Sequence, residues 1–315
     1  MPYFTKSRLA GLLFSLSLSS AVCVAQDLTP RAYVITPVHS NAVVYVSSFF
    51  TGSILFNPTL PISDLTANPK IQIFSFYHSL NLLGRSANIA ASLPYGVGTF
   101  EGKVLGTNQS VYRSGLLDFA CRFSVNLKGG PALVPKDFVK WRQKLLIGAS
   151  LTVIAPTGQY DPARLINQGN NRWGFKPELG LSRRWGHWIL DTYGGVWFYT
   201  TNPAYFSNNL LFPGENTFKQ KPIASFEGHL SCDVRPRLWV SLDGNFWYGG
   251  NTIFNGKESP SSYQANSRIG GTVSVPITKH HSVKFSYSDG AFIRLGGNYQ
   301  NISVGWQYSW LGRPN

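Results

Sequence analysis

The sequence predicts an all-β fold, a transmembrane antiparallel up-and-down β-barrel of twelve strands with both termini in the periplasm. Three observations carry this. Segments of alternating apolar and polar residues recur along the chain, as strands with one face in hydrocarbon and one in a wetter interior require. Charged residues make up 13% of the chain and aromatic residues 14%, with 31 Gly among 315 residues, whereas soluble domains carry about 25% charge. Beyond the N-terminal leader, no apolar window reaches the length of a membrane helix, so any crossing must be made by strands.

The chain opens with the marks of a secretory leader. Lys6 and Arg8 precede an apolar run from Leu9 to Ser20, and Cys23-Val24-Ala25 forms a small-residue cleavage site before Gln26. Val22 is a poor residue immediately before a lipid-modified Cys, which argues against lipidation of Cys23. The division expected is a cleaved leader over 1–25, a periplasmic tail or lumenal plug over 26–41, and an outer-membrane barrel over 42–315. Of 28 basic residues, losing Lys6 and Arg8 leaves 26 against 14 acidic, a balance of +12. Such a charge suits nucleic acid in other settings, but the leader and the scattered cations argue against it. Anionic outer-leaflet lipid or an anion-favouring pore accounts for the sign. Cys121 and Cys232 fall on apolar faces far apart in strand order and read as separate thiols.

Val43 to Phe56 and Ile71 to Leu80 are the first two strands, apolar on both faces, so that their facing stays open. Ala87, Ile89, Ala91, Leu93 and Tyr95 mark the third. Gly96 to Ser110 reads as a Gly-rich loop, and its GVGTFEG lacks the spacing and the following helix of a phosphate loop. In the fourth strand Leu117, Phe119, Cys121, Phe123, Val125 and Leu127 oppose Asp118, Arg122, Ser124 and Asn126. Charge on one face there demands a lumen. Leu145 to Ala155 and Phe175 to Ser182 give strands five and six, and His187 to Tyr199 the seventh. Strands eight to twelve follow around Ala224–Cys232, Leu238–Tyr248, Asn266–Val275, Val283–Ser288 and Asn301–Trp310.

Short turns at Leu82–Ser86, Arg183–Gly186, Val234–Arg237 and Ile277–His281 alternate with long loops. Lys128–Arg142 and Asp289–Gly297 break the length rule. Short turns belong in the periplasm and long loops outside, which puts both termini in the periplasm. Trp and Tyr near strand ends, Trp141, Trp173, Trp185, Trp188, Tyr199, Trp239, Tyr248, Tyr308 and Trp310, read as interfacial girdles.

The segment APTGQYDPARLINQGNNRW, followed by KPELGLSRRWGHWILDTYGGVWFYTTNPAY, resembles the bacterial family named for a meta-pathway of phenol degradation. QKPIASFEGHLSCDVRPRLWVSLDGNFWYGG and NSRIGGTVSVPITKHHSVKFSYSDG continue the resemblance, which covers roughly residues 85–310. It implies an outer-membrane barrel that passes aromatic or other hydrophobic compounds, and no catalytic residue is carried over. The chain departs from the usual terminal aromatic of barrels by ending Trp310-Leu-Gly-Arg-Pro-Asn315, so Trp310 takes that role.

The expected lumen-lining and selectivity residues are Asp118, Arg122, Lys176, Glu178, Glu227, His229, Asp243, Arg268 and Lys284, which alternate in sign around the wall. They serve either to stiffen the barrel by cross-strand pairing or to set the field that a solute meets. Tyr160, Asp161, Arg164, Asn167, Arg172 and Trp173 are expected at the pore mouth. Outer-membrane phospholipases use twelve-stranded barrels with Ser and His, and Ser225, Glu227, His229 and Ser231 share one face here. No nucleophile motif accompanies them, and the chain is not read as an enzyme. Adjacent His280 and His281 point apart on a strand, so no metal site or cofactor is expected.

The function expected is an outer-membrane channel or transporter for small hydrophobic or aromatic compounds. A structural envelope-integrity barrel is the alternative, and a lipid-modifying enzyme the third reading. The partners expected are outer-membrane lipid and lipopolysaccharide, the barrel-assembly machinery and a small solute, with no nucleic acid and the oligomeric state left open. Twelve strands enclose a lumen between the packed interior of eight and the open channel of 16–18, which fits a narrow or plugged pore.

Overall fold

In the computed structural model, which describes residues 28–55, 62–104, 106–209 and 212–312, the alternating segments form one antiparallel sheet closed on itself. The leader and its cleavage site lie outside the described residues. The barrel strands are β1 (Ser40–Leu55), β2 (Lys70–Leu82), β3 (Arg85–Val104), β4 (Phe119–Lys128), β5 (Leu145–Ala155) and β6 (Gly174–Trp185). Then follow β7 (Trp188–Tyr199), β8 (Ile223–Arg235), β9 (Leu238–Gly249), β10 (Gln264–Pro276), β11 (His281–Ile293) and β12 (Gly296–Leu311). Each pairs with its neighbours in sequence, and β12 closes on β1 from Ser40↔Leu311 to Leu55↔Gly296. Closure leaves no unpaired edge, the condition for a sheet to cross hydrocarbon. No helix among the described residues is long and apolar enough to do so.

The pleat sorts the side chains as the alternation requires. Leu242, Ile269, Leu179, Phe226, Phe285 and Ile302 stand exposed on the outside, while their strand neighbours Asp243, Arg268, Glu178, Glu227 and Ser286 face in. Strands whose facing the sequence left open are resolved by their partners. Tyr45 and Phe49 of β1 pair with outward Trp306 and Ile302, so Ser48 and Phe50 point inward. Cys121 and Cys232 are both free.

One rim carries the short turns. The β2–β3 turn has both Leu83 and Gly84 at positive φ, the geometry of a two-residue turn matched to strand twist, which Gly84 adopts without strain. The same rim holds β6–β7, β8–β9 and β10–β11 turns, the longer β4–β5 connection with its short helix Pro135–Phe138, and both barrel termini.

The opposite rim departs from the sequence reading in two places. Gly96 to Ser110 is not a loop: β3 continues to Val104, and Thr107–Leu116 runs back along it from Tyr95↔Leu116 to Val104↔Thr107. Small and polar residues disguised the hairpin, because above the hydrocarbon neither face needs apolar side chains. A short strand, Ile62–Ala67, adds to the same extension, and Phe218–Gln220, Thr252–Phe254 and Lys257–Ser259 form a small sheet from two other loops.

The basic excess is unevenly placed. Among the described residues of the turn rim, Arg85, the five cations from Lys128 to Lys144, Arg183, Arg184, Arg235, Arg237 and Lys279 face only Asp137 and Asp233. The loop rim and the lumen wall are nearly balanced. The positive charge is therefore a property of the turn rim, not of the pore or the looped face.

Candidate functional site: a charged lumen crossed by the N-terminal segment

The inward residues of β4 to β10 form a continuous ladder of charge. Arg122 Nη2 lies 3.0 Å from Glu178 Oε1, and Lys176 Nζ bridges Glu178 at 2.7 Å and Glu227 at 3.0 Å. Glu227 Oε2 is 3.5 Å from His229 Nε2, whose Nδ1 is 2.9 Å from Asp243 Oδ1. Ser241 and Thr272 hydroxyls donate to Asp243 Oδ2 at 3.0 and 2.7 Å. The ladder exists because these residues sit at inward positions on neighbouring strands, where His229 is in register with Asp243.

Residues 28–39 lie against this ladder inside the barrel and cross the lumen. The chain leaves β1 at the turn rim, where His39 and Val38 backbone N–H groups donate to Ser79 and Leu133 carbonyls. Thr36 meets Tyr77 of β2, Asn126 of β4 donates to the Tyr33 carbonyl, and Tyr33 Oη donates to Glu178 at 3.0 Å beside Ser150. The Ala32 N–H donates to Tyr193 Oη and the Arg31 N–H to Asp191. Arg31 then pairs with Asp233 at 2.7 Å over the Trp239 ring, and Thr29 reaches Glu227. A backbone without secondary structure has its polar groups answered by the wall, as burial requires.

Tyr33 has a built seat. Gly148 of β5 and Gly180 of β6 are direct partners in register, and a Cβ on either would overlap the Tyr33 ring. Tyr193 meets the same ring edge-on at 5.2 Å, and Arg122 lies 5.0 Å above it. Glycine in mid-strand lowers local stability, so the pair is best explained by what it admits. Replacing Gly180 with Leu is expected to expel Tyr33 and make the segment cleavable by added protease in folded protein. Gly194→Leu, at a glycine whose Cβ would meet nothing within 4 Å, is the matched control. Equal protection in both variants would contradict the seat.

Above the ladder the lumen wall turns apolar. Ile154, Trp197, Ile223 and Trp247 form one buried cluster, and Phe50, Ile71, Leu117 and Tyr299 another. Trp197 and Trp247 are each 1% exposed. The sequence reading counted neither cluster among the site residues, because isolated apolar residues on polar faces carry no periodic signal.

Asp118 is not part of the wall. It sits between the β3 hairpin and β4 and accepts N–H bonds from Gly158, Asn170 and the Asn170 side chain, tying the β5–β6 loop inward. Burial pushes its carboxyl up, against those donors and the Arg172 charge that favour its ionised form. The proposed mouth residues mostly bind one another. Asp161 pairs with Arg164 and meets Asn167, while Tyr160 bonds Ala204 and Asn202 of the β7–β8 loop. Arg172 is buried over the Tyr199 ring at 4.2 Å and donates to Gln220. Trp173 turns outward and stacks on Phe175, away from any mouth. Two residues assigned to the girdles turn inward instead: Tyr199 supports Arg172, and Trp239 lies between Arg31 and Lys284.

A family described as "Putative MetA-pathway of phenol degradation" matches residues 43–291. The chain belongs to this family. Among solved structures it is similar to the COG4313 outer membrane channel from Pseudomonas putida F1, with a TM-score of 0.75, 16% identity, and coverage of 90% of this chain and 100% of that one. The β domain of the Bordetella autotransporter BrkA aligns with a TM-score of 0.49 and 12% identity, covering 86% of this chain and 100% of that one. The transport unit of the autotransporter AIDA-I from Escherichia coli gives 0.48 and 11%, covering 96% of each. No curated protein sequence matches the chain. At this identity the first likeness establishes the fold, a membrane-spanning barrel of the outer-membrane type.

Proposed function

We propose that this family member is an outer-membrane channel that passes small organic solutes, hydrophobic or aromatic in body, without chemical change. The observation that carries this reading is the uneven filling of the lumen. Residues 28–39 occupy the side walled by β4 to β9, while a cavity of about 200 Å³ remains beside β1 and β10 to β12. A barrel kept only for rigidity has no need to leave one side unfilled. The turn rim faces the periplasm in this reading, with its cations among the headgroups of the inner leaflet, and the loops face outward.

A structural barrel is the second reading, favoured by the density of the charge ladder. An enzyme is the third, and the contacts give it little: His229 engages two carboxylates, Ser231 accepts from Arg31, and Ser225 donates to the Gly195 carbonyl. Refolded protein in planar bilayers is expected to give small discrete conductance steps and to speed entry of benzyl alcohol or benzoate into liposomes. No permeation of any tested ion, sugar or aromatic compound would leave the structural reading standing.

A further inference from the structure

The cavity beside β1 and β10 to β12 has a chemistry unlike the rest of the lumen. Hydroxyls line it, among them Ser48, Ser286, Ser303 and Thr272, and Leu28 to Pro30 close it on the ladder side. Two cations and one carboxylate stand in its wall: Arg268, Lys284 and Asp243. The carboxylate is committed, with Oδ1 on His229 and Oδ2 on Ser241 and Thr272.

Arg268 differs from every other buried cation of the ladder. It is 1% exposed, its Nη2 donates to the Tyr299 and Ser288 carbonyls and the Ser288 hydroxyl, and it rests 4.4 Å over the Tyr299 ring. Those partners are neutral, and its Nη1 is buried without an acceptor among the described residues. Arg122 and Lys176, by contrast, each reach a carboxylate. Asp289 acts on this guanidinium only through space, without contact. A buried guanidinium with no carboxylate in contact and a buried N–H without an acceptor are both costly, and one bound anion relieves both. Across the cavity Val46, Phe50 and Ile73 offer an apolar wall.

We infer that this cavity binds a small organic carboxylate, its anionic end on Arg268 and its hydrocarbon body against Phe50 and Ile73. The inference deepens the channel reading by naming a solute class, and rests on that reading for passage but not for binding.

Calorimetry on the full mature chain in detergent tests it, with benzoate and hexanoate as probes and benzyl alcohol as the uncharged control. Saturable binding of both carboxylates is expected, with benzyl alcohol about tenfold weaker or more. Arg268→Gln is expected to weaken benzoate by a similar factor, and Lys284→Gln by less. Ser286→Trp, which fills the cavity and leaves Arg268 intact, is expected to abolish binding if Arg268→Gln fails to fold. The inference is overturned if no carboxylate binds, if the alcohol binds as well as benzoate, if sulfate displaces benzoate at equal concentration, or if the cavity variants leave benzoate affinity unchanged. Binding without permeation in liposomes would count against the channel reading alone, and permeation without binding against this inference alone.

Discussion

Deleting residues 28–36 is expected to raise single-channel conductance severalfold while leaving a folded barrel. The segment fills the side of the lumen under β4 to β9, and its contacts there are to side chains and not to the sheet ladder. Each lost hydrogen bond contributes about 0.5–1.5 kcal/mol net, and water entering the widened lumen replaces the partners of Glu178, Asp191 and Asp233. The sheet, closed by pairing around the whole circumference, does not depend on the segment. Planar-bilayer recording of wild type and deletion, both refolded without the leader, checks this. Unchanged conductance would mean that the segment does not occupy the conducting path.

The second large effect is on stability. Lys176→Met leaves Glu178 and Glu227 facing each other without the ammonium that bridges them at 2.7 and 3.0 Å. Removing one partner from a buried ion pair costs about 3–5 kcal/mol, and here one removal breaks two pairs. The midpoint of urea unfolding in micelles is expected to fall accordingly. Removing one carboxylate with it, as Lys176→Met with Glu227→Gln, is expected to recover most of the loss, since Glu178 keeps Arg122 and His229 keeps Asp243. A single variant within about 0.5 kcal/mol of wild type, the range of an ordinary surface substitution, would show that water already screens the ladder.

The barrel was legible in the sequence because its exterior is a physical demand repeated twelve times. Every strand that crosses hydrocarbon must present an apolar row, so Leu117 to Leu127 or Val283 to Ser288 reveals both strand and facing. Above the hydrocarbon that demand ends, and Gly96 to Ser110 reads as loop although it is paired strand. The charged ladder was legible for the same reason as the exterior, by opposition. Which charges pair was not, because pairing depends on register between strands distant in sequence, as between Lys176 and Glu227. Asp118 shows the limit of alternation: it continues the pattern of its strand but lies one residue beyond the sheet and binds a loop. Residues 28–39 carry no period at all, and Tyr33 finds its place through the absence of side chains at Gly148 and Gly180. Glycines in strands are the one sequence trace of that seat, and they do not say what fills it.

Cysteine accessibility bears most directly on the claim that the lumen is divided into a filled side and an open side. In a Cys121→Ser, Cys232→Ser background, single cysteines replace Ser286, Asn301 or Ser303 beside the cavity, and Asn126, Ser150 or Ser231 under the segment. The first three are expected to react rapidly with a small charged thiol reagent in folded protein, and the second three to react only after residues 28–36 are deleted. Equal rates at both sets of positions in the intact chain would contradict the account.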